Sequence, residues 1–289
     1  MKRDLWDRFA SKLNSLDEAP EPLCSAMQTA LKPGDAIRLL ILGPSFNSLG
    51  KNSTATLLAV LDQEWIVVSG MEAGQLRVDR AAFAETLLVE LTIVLLLGRL
   101  KLDYTTDGVA RSAVMEFNTV MEAYYKEAAR LVLDGIEGVD DAVPVADDRL
   151  NALLDGAPMK FCSAAHEFRP PSQPVLALQH WLPVMGKKRL WFQRELAAEA
   201  MLMFTERELI FISEEKTWSW MRIGRVNKYG FVVTYCPLSR LESWHIEANG
   251  KTAGLDLILR TQQGGETFRV EFPRGEEHHV AVLLRQPSA

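Results

Sequence analysis

The chain has 289 residues, 48% hydrophobic and 24% charged, with a formal net charge of −6. This composition excludes a disordered polymer and leaves room for two ordinary domains. The acidic balance argues against a nucleic-acid partner, which demands clustered Lys and Arg.

The charge is uneven: residues 1–173 carry 17 basic and 25 acidic residues, whereas 174–289 carry 15 and 13. Three cysteines, Cys24, Cys162 and Cys236, stand far apart without metal or redox spacing. They read as reduced thiols used as small core residues, which places the chain in the cytoplasm. The opening MKRDLWDRFASKL has no apolar run, so no signal peptide is expected.

In chain order, the spacing of Trp6, Phe9, Leu13 and Leu16 predicts an amphipathic helix over 4–16, with that face packed on its own chain. Two prolines in 17–22 end it, and a second short helix is expected over 23–31. Strands are expected at 36–42, 56–60 and 65–69. The apolar stretch 86–100 is too short for a membrane span and is interrupted by Glu90 and Arg99; it reads as two buried strands with a turn between them. Asp107-Gly108 between strand-like runs signals a hairpin. A helical stripe follows over 117–133, with Gly135 expected to cap it.

Residues 139–173 read as an acidic, Pro-closed linker with a short helix over 149–154. Strands are then expected at 176–184, 198–204, 208–213, 230–235, 239–248, 254–261 and 266–272, with a final helix over 276–286. The two halves match by offset. Adding 144 carries 61–69 onto 205–213; adding 157 carries 85–90 onto 242–247 and Asp107-Gly108 onto Gly264-Gly265. A 13-residue insertion in the second half reconciles the two registers.

The segment TERELIFIS (205–213), then PLSRLES (237–243), a Gly-rich hairpin and a C-terminal helix resemble the bacterial pleckstrin-homology-like domains and their GRAM-type relatives. LKPGDAI (31–37) is similar to their opening pattern. The resemblance covers about 36–133 and 175–287 and implies a mainly β fold with α (α+β). Each half would be an orthogonal β-sandwich closed by a helix, with binding rather than catalysis as its role. The resulting domain expectation is a helical segment 1–31, a first domain 32–138, a linker 139–173 and a second domain 174–289.

Candidate chemistry is sparse. Gly43 and Gly50-Lys51 stand at the wrong spacing for a phosphate-binding loop, and 39–54 reads as a strand-connecting loop. His278-His279 reads as a solvated helix start, and His166, His180 and His245 as isolated residues. The binding candidates are cations and loop aromatics. Lys187, Lys188 and Arg189 are read as lying between strands; Trp218, Trp220, Arg222, Arg225 and Lys228 lie in the inserted loop. The expectation is a non-enzymatic binding or scaffold module without cofactor or metal, with a protein partner or self-association. A peripheral protein holding anionic lipid through its basic loops is the alternative; an enzyme with a composite site is the third reading.

Overall fold

The computed structural model describes residues 9–48, 51–70, 75–139, 143–146, 148–189, 192–214, 230–261 and 264–285, with side chains except at 46–48, 51–53, 188–189 and 192–193. The described residues are mainly strand, in antiparallel sheets, with a few helices. The chain divides into two compact units, Met1–Asp140 and Asp141–Ala289.

In the first unit, β1 (Ser11–Lys12) precedes α1 (Leu23–Ala30), β2 (Ile37–Gly43), the small hairpin β3 (Phe46–Ser48) and β4 (Lys51–Ser53), β5 (Thr56–Leu61), β6 (Glu64–Gly70) and β7 (Leu76–Ala82). These strands form a sheet in the order β1-β2-β5-β6-β7, and among the described strands β3 and β4 pair only each other. The sheet is apolar on both faces, which explains why all six residues of β5 are buried. Leu40, Leu57, Ala59, Leu61, Ile66 and Val68 face one cluster with Leu23, Cys24 and Met27 of α1. On the opposite face Trp65 meets Tyr104 edge to face at 5.0 Å, and its indole Nε1 donates to Thr86 Oγ1 at 2.9 Å.

The expected helix over 4–16 is corrected within the described residues: Ser11 and Lys12 pair with Leu42 and Ile41 as an edge strand. So short a helix is marginal in water, whereas the edge of β2 offers backbone partners. Leu13 and Leu16 do pack on the α1 cluster, within their own chain; Trp6 lies outside the described residues.

β8 (Thr86–Val94), β9 (Leu97–Thr106) and β10 (Val109–Asn118) then form an antiparallel meander. The apolar stretch 86–100 is therefore two strands. Asp107 and Gly108, both at positive φ (51° and 72°), make the two-residue turn between β9 and β10, the geometry that Asp-Gly favours. α2 (Glu122–Glu137) packs against β8 and β9. Gly138, not Gly135, caps it: its φ is 67° and its N–H bonds back to the last turn. Gly135 lies inside α2, where a Cβ would meet the ring of Phe83 at 2.2 Å.

The second unit holds α3 (Asp148–Leu153), α4 (Met159–Phe168), β11 (Val175–Trp181), the hairpin β12 (Val184–Arg189) and β13 (Phe192–Ala197), β14 (Ala200–Thr205), β15 (Glu208–Glu214), β16 (Gly230–Pro237), β17 (Leu241–Asn249), β18 (Thr252–Arg260), β19 (Gly265–Pro273) and α5 (Glu277–Leu284). The segment expected to be a linker thus contributes two helices to this unit, and Leu150, Leu154 and Phe161 are buried.

Element order and register follow the first unit. β14 and β15 stand 144 residues after β5 and β6: Thr56↔Ser69 answers to Ala200↔Ser213, and Val60↔Trp65 to Phe204↔Leu209. From β8 onward the offset is 155. Val94↔Leu97 answers to Asn249↔Thr252, and both strand pairs slip register at matching places, Thr86/Leu88 and Leu241/Ser243. The expected offset of 157 is corrected to 155, and the insertion from 13 residues to 11. Side chains alternate with period two, so a two-residue slip keeps every residue on its face and leaves the apolar pattern unchanged. Ahead of β11 the offset is 138: α1 ends at Ala30 and α4 at Phe168. The turns after them close alike, Asp35 N–H to Lys32 C=O and Gln173 N–H to Pro170 C=O.

Candidate functional site

The basic cluster does not lie in a loop. Lys187, Lys188 and Arg189 are on β12, part of a hairpin inserted between β11 and β14. Strand formation was hidden because Val184–Arg189 carries no alternating apolar pattern; pairing with β13 forms it, through Val184↔Ala197, Met185↔Glu195 and Lys188↔Gln193. Within 184–197 there are four cations, Lys187, Lys188, Arg189 and Arg194, against the one carboxylate of Glu195. Lys187 is exposed.

At the base of this hairpin lies an open groove of about 580 Å³, lined by Leu182, Pro183, Val184, Met185, Gly250, Lys251, Pro273 and Arg274. Three separate segments build it: the corner between β11 and β12, the turn between β17 and β18, and the end of β19. Lys251 Nζ donates to Met185 C=O at 3.2 Å, fastening the turn to the hairpin. Arg274 Nη1 donates to Gly250 C=O at 3.1 Å, and its backbone N–H donates to Lys251 C=O at 3.1 Å. Each cation spends only part of its donor capacity on these bonds. Among the described residues no carboxylate pairs with Lys187, Lys251 or Arg274.

Lys251 and Arg274 were missed by sequence reasoning because each is a lone cation in a turn, far along the chain from Lys187. The only local signals were Gly250 before Lys251 and Pro273 before Arg274. Of the other expected residues, Lys188 and Arg189 have their backbones on β12 but their side chains outside the described set. Trp218, Trp220, Arg222, Arg225 and Lys228 lie outside the described residues altogether.

A second polar constellation sits in the same unit. His180, read as isolated, lies with its Nε2 at 3.1 Å from Glu199 Oε1. Lys160 Nζ reaches Glu199 Oε2 at 2.8 Å and also bonds Glu214 Oε1. Partial burial pulls the pKa of the Lys160 ammonium down, but the hydrogen bonds it donates to Glu199 and Glu214 outweigh this and hold the pKa above the ordinary lysine value. Phe161 covers the group, its ring centroid 4.9 Å from that of His180. The arrangement ties α4 to the sheet through a lysine shared by two carboxylates.

Two of the three cysteines are buried and all are free. Burial pushes the Cys236 thiol up to about 12, which leaves it protonated and unreactive. His279 Nδ1 lies 2.9 Å from Glu276 Oε2 at the exposed start of α5. Among the described residues no group of three or more His, Cys, Asp or Glu could hold a metal ion. No described helix is long and apolar enough to cross a membrane. No protein-family model matches the chain, and the comparison with curated proteins finds no significant match.

Proposed function

We propose that this chain is a non-enzymatic cytoplasmic binding protein of two tandem pleckstrin-homology-like units, the second of which takes an anionic group at the base of its basic hairpin. The tandem reading is supported by the shared plan of the units: a four-stranded meander, a three-stranded meander, and a C-terminal helix, with strand registers repeated at fixed offsets.

The observation that carries the binding reading is the groove lined by Lys251 and Arg274, neither with a described carboxylate partner, at the base of the hairpin whose β12 carries the exposed Lys187. Clustered cations with spare donors favour phosphate oxygens, and each Lys or Arg near an anionic surface contributes about 1 kcal/mol. The remaining groove side chains, Leu182, Pro183, Val184 and Met185, are apolar and supply no nucleophile or general base. This favours binding over catalysis. Leu182 is 67% exposed, an apolar contact beside the cations that would suit the interfacial region of a bilayer.

The test is cosedimentation of the full chain with phosphatidylserine-containing vesicles and with phosphatidylcholine vesicles at low salt, where screening is weakest. Binding to the anionic vesicles alone is expected. It should be lost in the Lys187→Glu/Lys251→Glu/Arg274→Glu variant at unchanged melting temperature. Equal indifference of the wild-type chain to both vesicles overturns the lipid reading.

A further inference from the structure

β17 forms the outer edge of the sheet β17-β18-β19, and among the described strands it pairs only with β18. Its counterpart in the first unit, β8, has one face covered by a helix: α2, sixteen residues long, packs against it, and Val89 and Leu91 are 0% and 1% exposed. The matching helix α5 has only eight residues and packs against β11 instead. A groove of about 460 Å³ is left between helix and strand, lined among others by Trp244, His245, Ile246 and Ala248 of β17, by Ala281 of α5 and by Arg285 just after it.

A nine-residue edge presents a row of backbone N–H and C=O groups ready to pair. Proteins block such edges with Lys, Pro or bulges. β17 contains neither Lys nor Pro, its charged residues are Glu242 and Glu247, and its one register slip lies at its first residues. A strand added here would gain backbone hydrogen bonds while the groove received its side chains.

The edge is complementary to itself. An antiparallel copy overlapping all nine residues is centred on His245, the midpoint of Leu241–Asn249. In that register Trp244 faces the second copy's Ile246 and Ile246 its Trp244, Glu242 faces Ala248, and Ser243 faces Glu247. No carboxylate meets a carboxylate, and two aromatic–aliphatic pairs form on the groove face. We propose that β17 is a self-association edge at which a second copy of this chain adds its own β17 antiparallel, making a continuous six-stranded sheet across a two-fold axis through His245.

The experiment uses the full chain in light scattering over a concentration series. The wild type is expected to double its mass as concentration rises. His245→Lys and His245→Asp are exposed substitutions that place like charges face to face on the axis; each is expected to weaken dimerisation by about tenfold. An equimolar mixture of the two is expected to restore the dimer as a heterodimer, because opposite charges then meet. Hydrogen exchange supplies an independent readout: wild-type amides in 241–249 are expected to be protected at high concentration and to exchange faster on dilution. A wild type that stays monomeric, a dimer indifferent to both substitutions, or a mixture that fails to reassociate would each overturn the proposal.

Discussion

Leu95 occupies a backbone position that the second unit gives to glycine. It opens the turn between β8 and β9 with φ 53°, and its counterpart 155 residues on is Gly250 with φ 62°. A side chain in this region costs about 1–2 kcal/mol, which glycine escapes at an entropic cost of roughly 0.5–1 kcal/mol. Leu95 is 68% exposed, so little packing compensates. Leu95→Gly is therefore expected to raise the unfolding free energy by about 0.5–1 kcal/mol in chemical denaturation. A loss of stability would mean that the leucine makes contacts its exposure does not reveal. Such single-residue strain was not legible in the sequence. A turn was expected within 86–100, but Leu95-Leu96 reads as the middle of an apolar run, and only the pairing of Val94 with Leu97 places the turn there.

At the scale of elements, α4 shows how charge fixes a helix on a sheet. Lys160 bonds both Glu199 and Glu214, which are only 13% and 9% exposed. Replacing Lys160 with Met removes the cation that lies between two neighbouring carboxylates. Removing the shared cation of two largely buried carboxylates is destabilising, but Lys160 is itself 38% exposed, so water screens part of the loss. A decrease of about 1–3 kcal/mol is expected, read as a lower melting temperature. Adding Glu214→Gln to Lys160→Met should recover part of it, because one of the two neighbouring like charges is then removed. An unchanged melting temperature in the single variant would show that His180 and water suffice to hold Glu199. The four residues of this network come from α4, β11, the β13–β14 turn and β15, so no spacing in the sequence could announce them.

For the whole molecule, the division at Asp141 moves the boundary expected at residue 174. A chain cut at 174 would lose α4, and with it Phe161, Ala165 and Phe168, which are 0%, 0% and 4% exposed. The hydrogen bond that Tyr235 Oη donates to Phe168 C=O at 3.0 Å would also be lost. Burial of two Phe side chains contributes about 3–6 kcal/mol, comparable with the whole stability of a small domain. Residues 141–289 are therefore expected to unfold cooperatively on heating with a β-type circular dichroism spectrum, and residues 174–289 to melt far lower or without cooperativity. Equal melting of the two fragments would show that α4 is not part of the folding unit.

What the sequence determined by itself was local. Apolar runs of six to nine residues became strands, Asp107-Gly108 became a hairpin turn, and matched strand pairs 144 residues apart could be found by offset, because alternation and turn chemistry act between near neighbours. Tertiary structure decided the rest. The offset of 155 required actual pairing, since alternation cannot distinguish it from 157. Ser11 and Lys12 became strand because β2 had an open edge beside them, and Lys187, Lys188 and Arg189 became strand because β13 folded back on them. Lys251 and Arg274 joined the basic groove only when three distant segments met. How far the face of a strand is covered is likewise nonlocal: β8 and β17 each open a three-stranded meander, and the length and docking of the helix that follows determine how much of each face is covered.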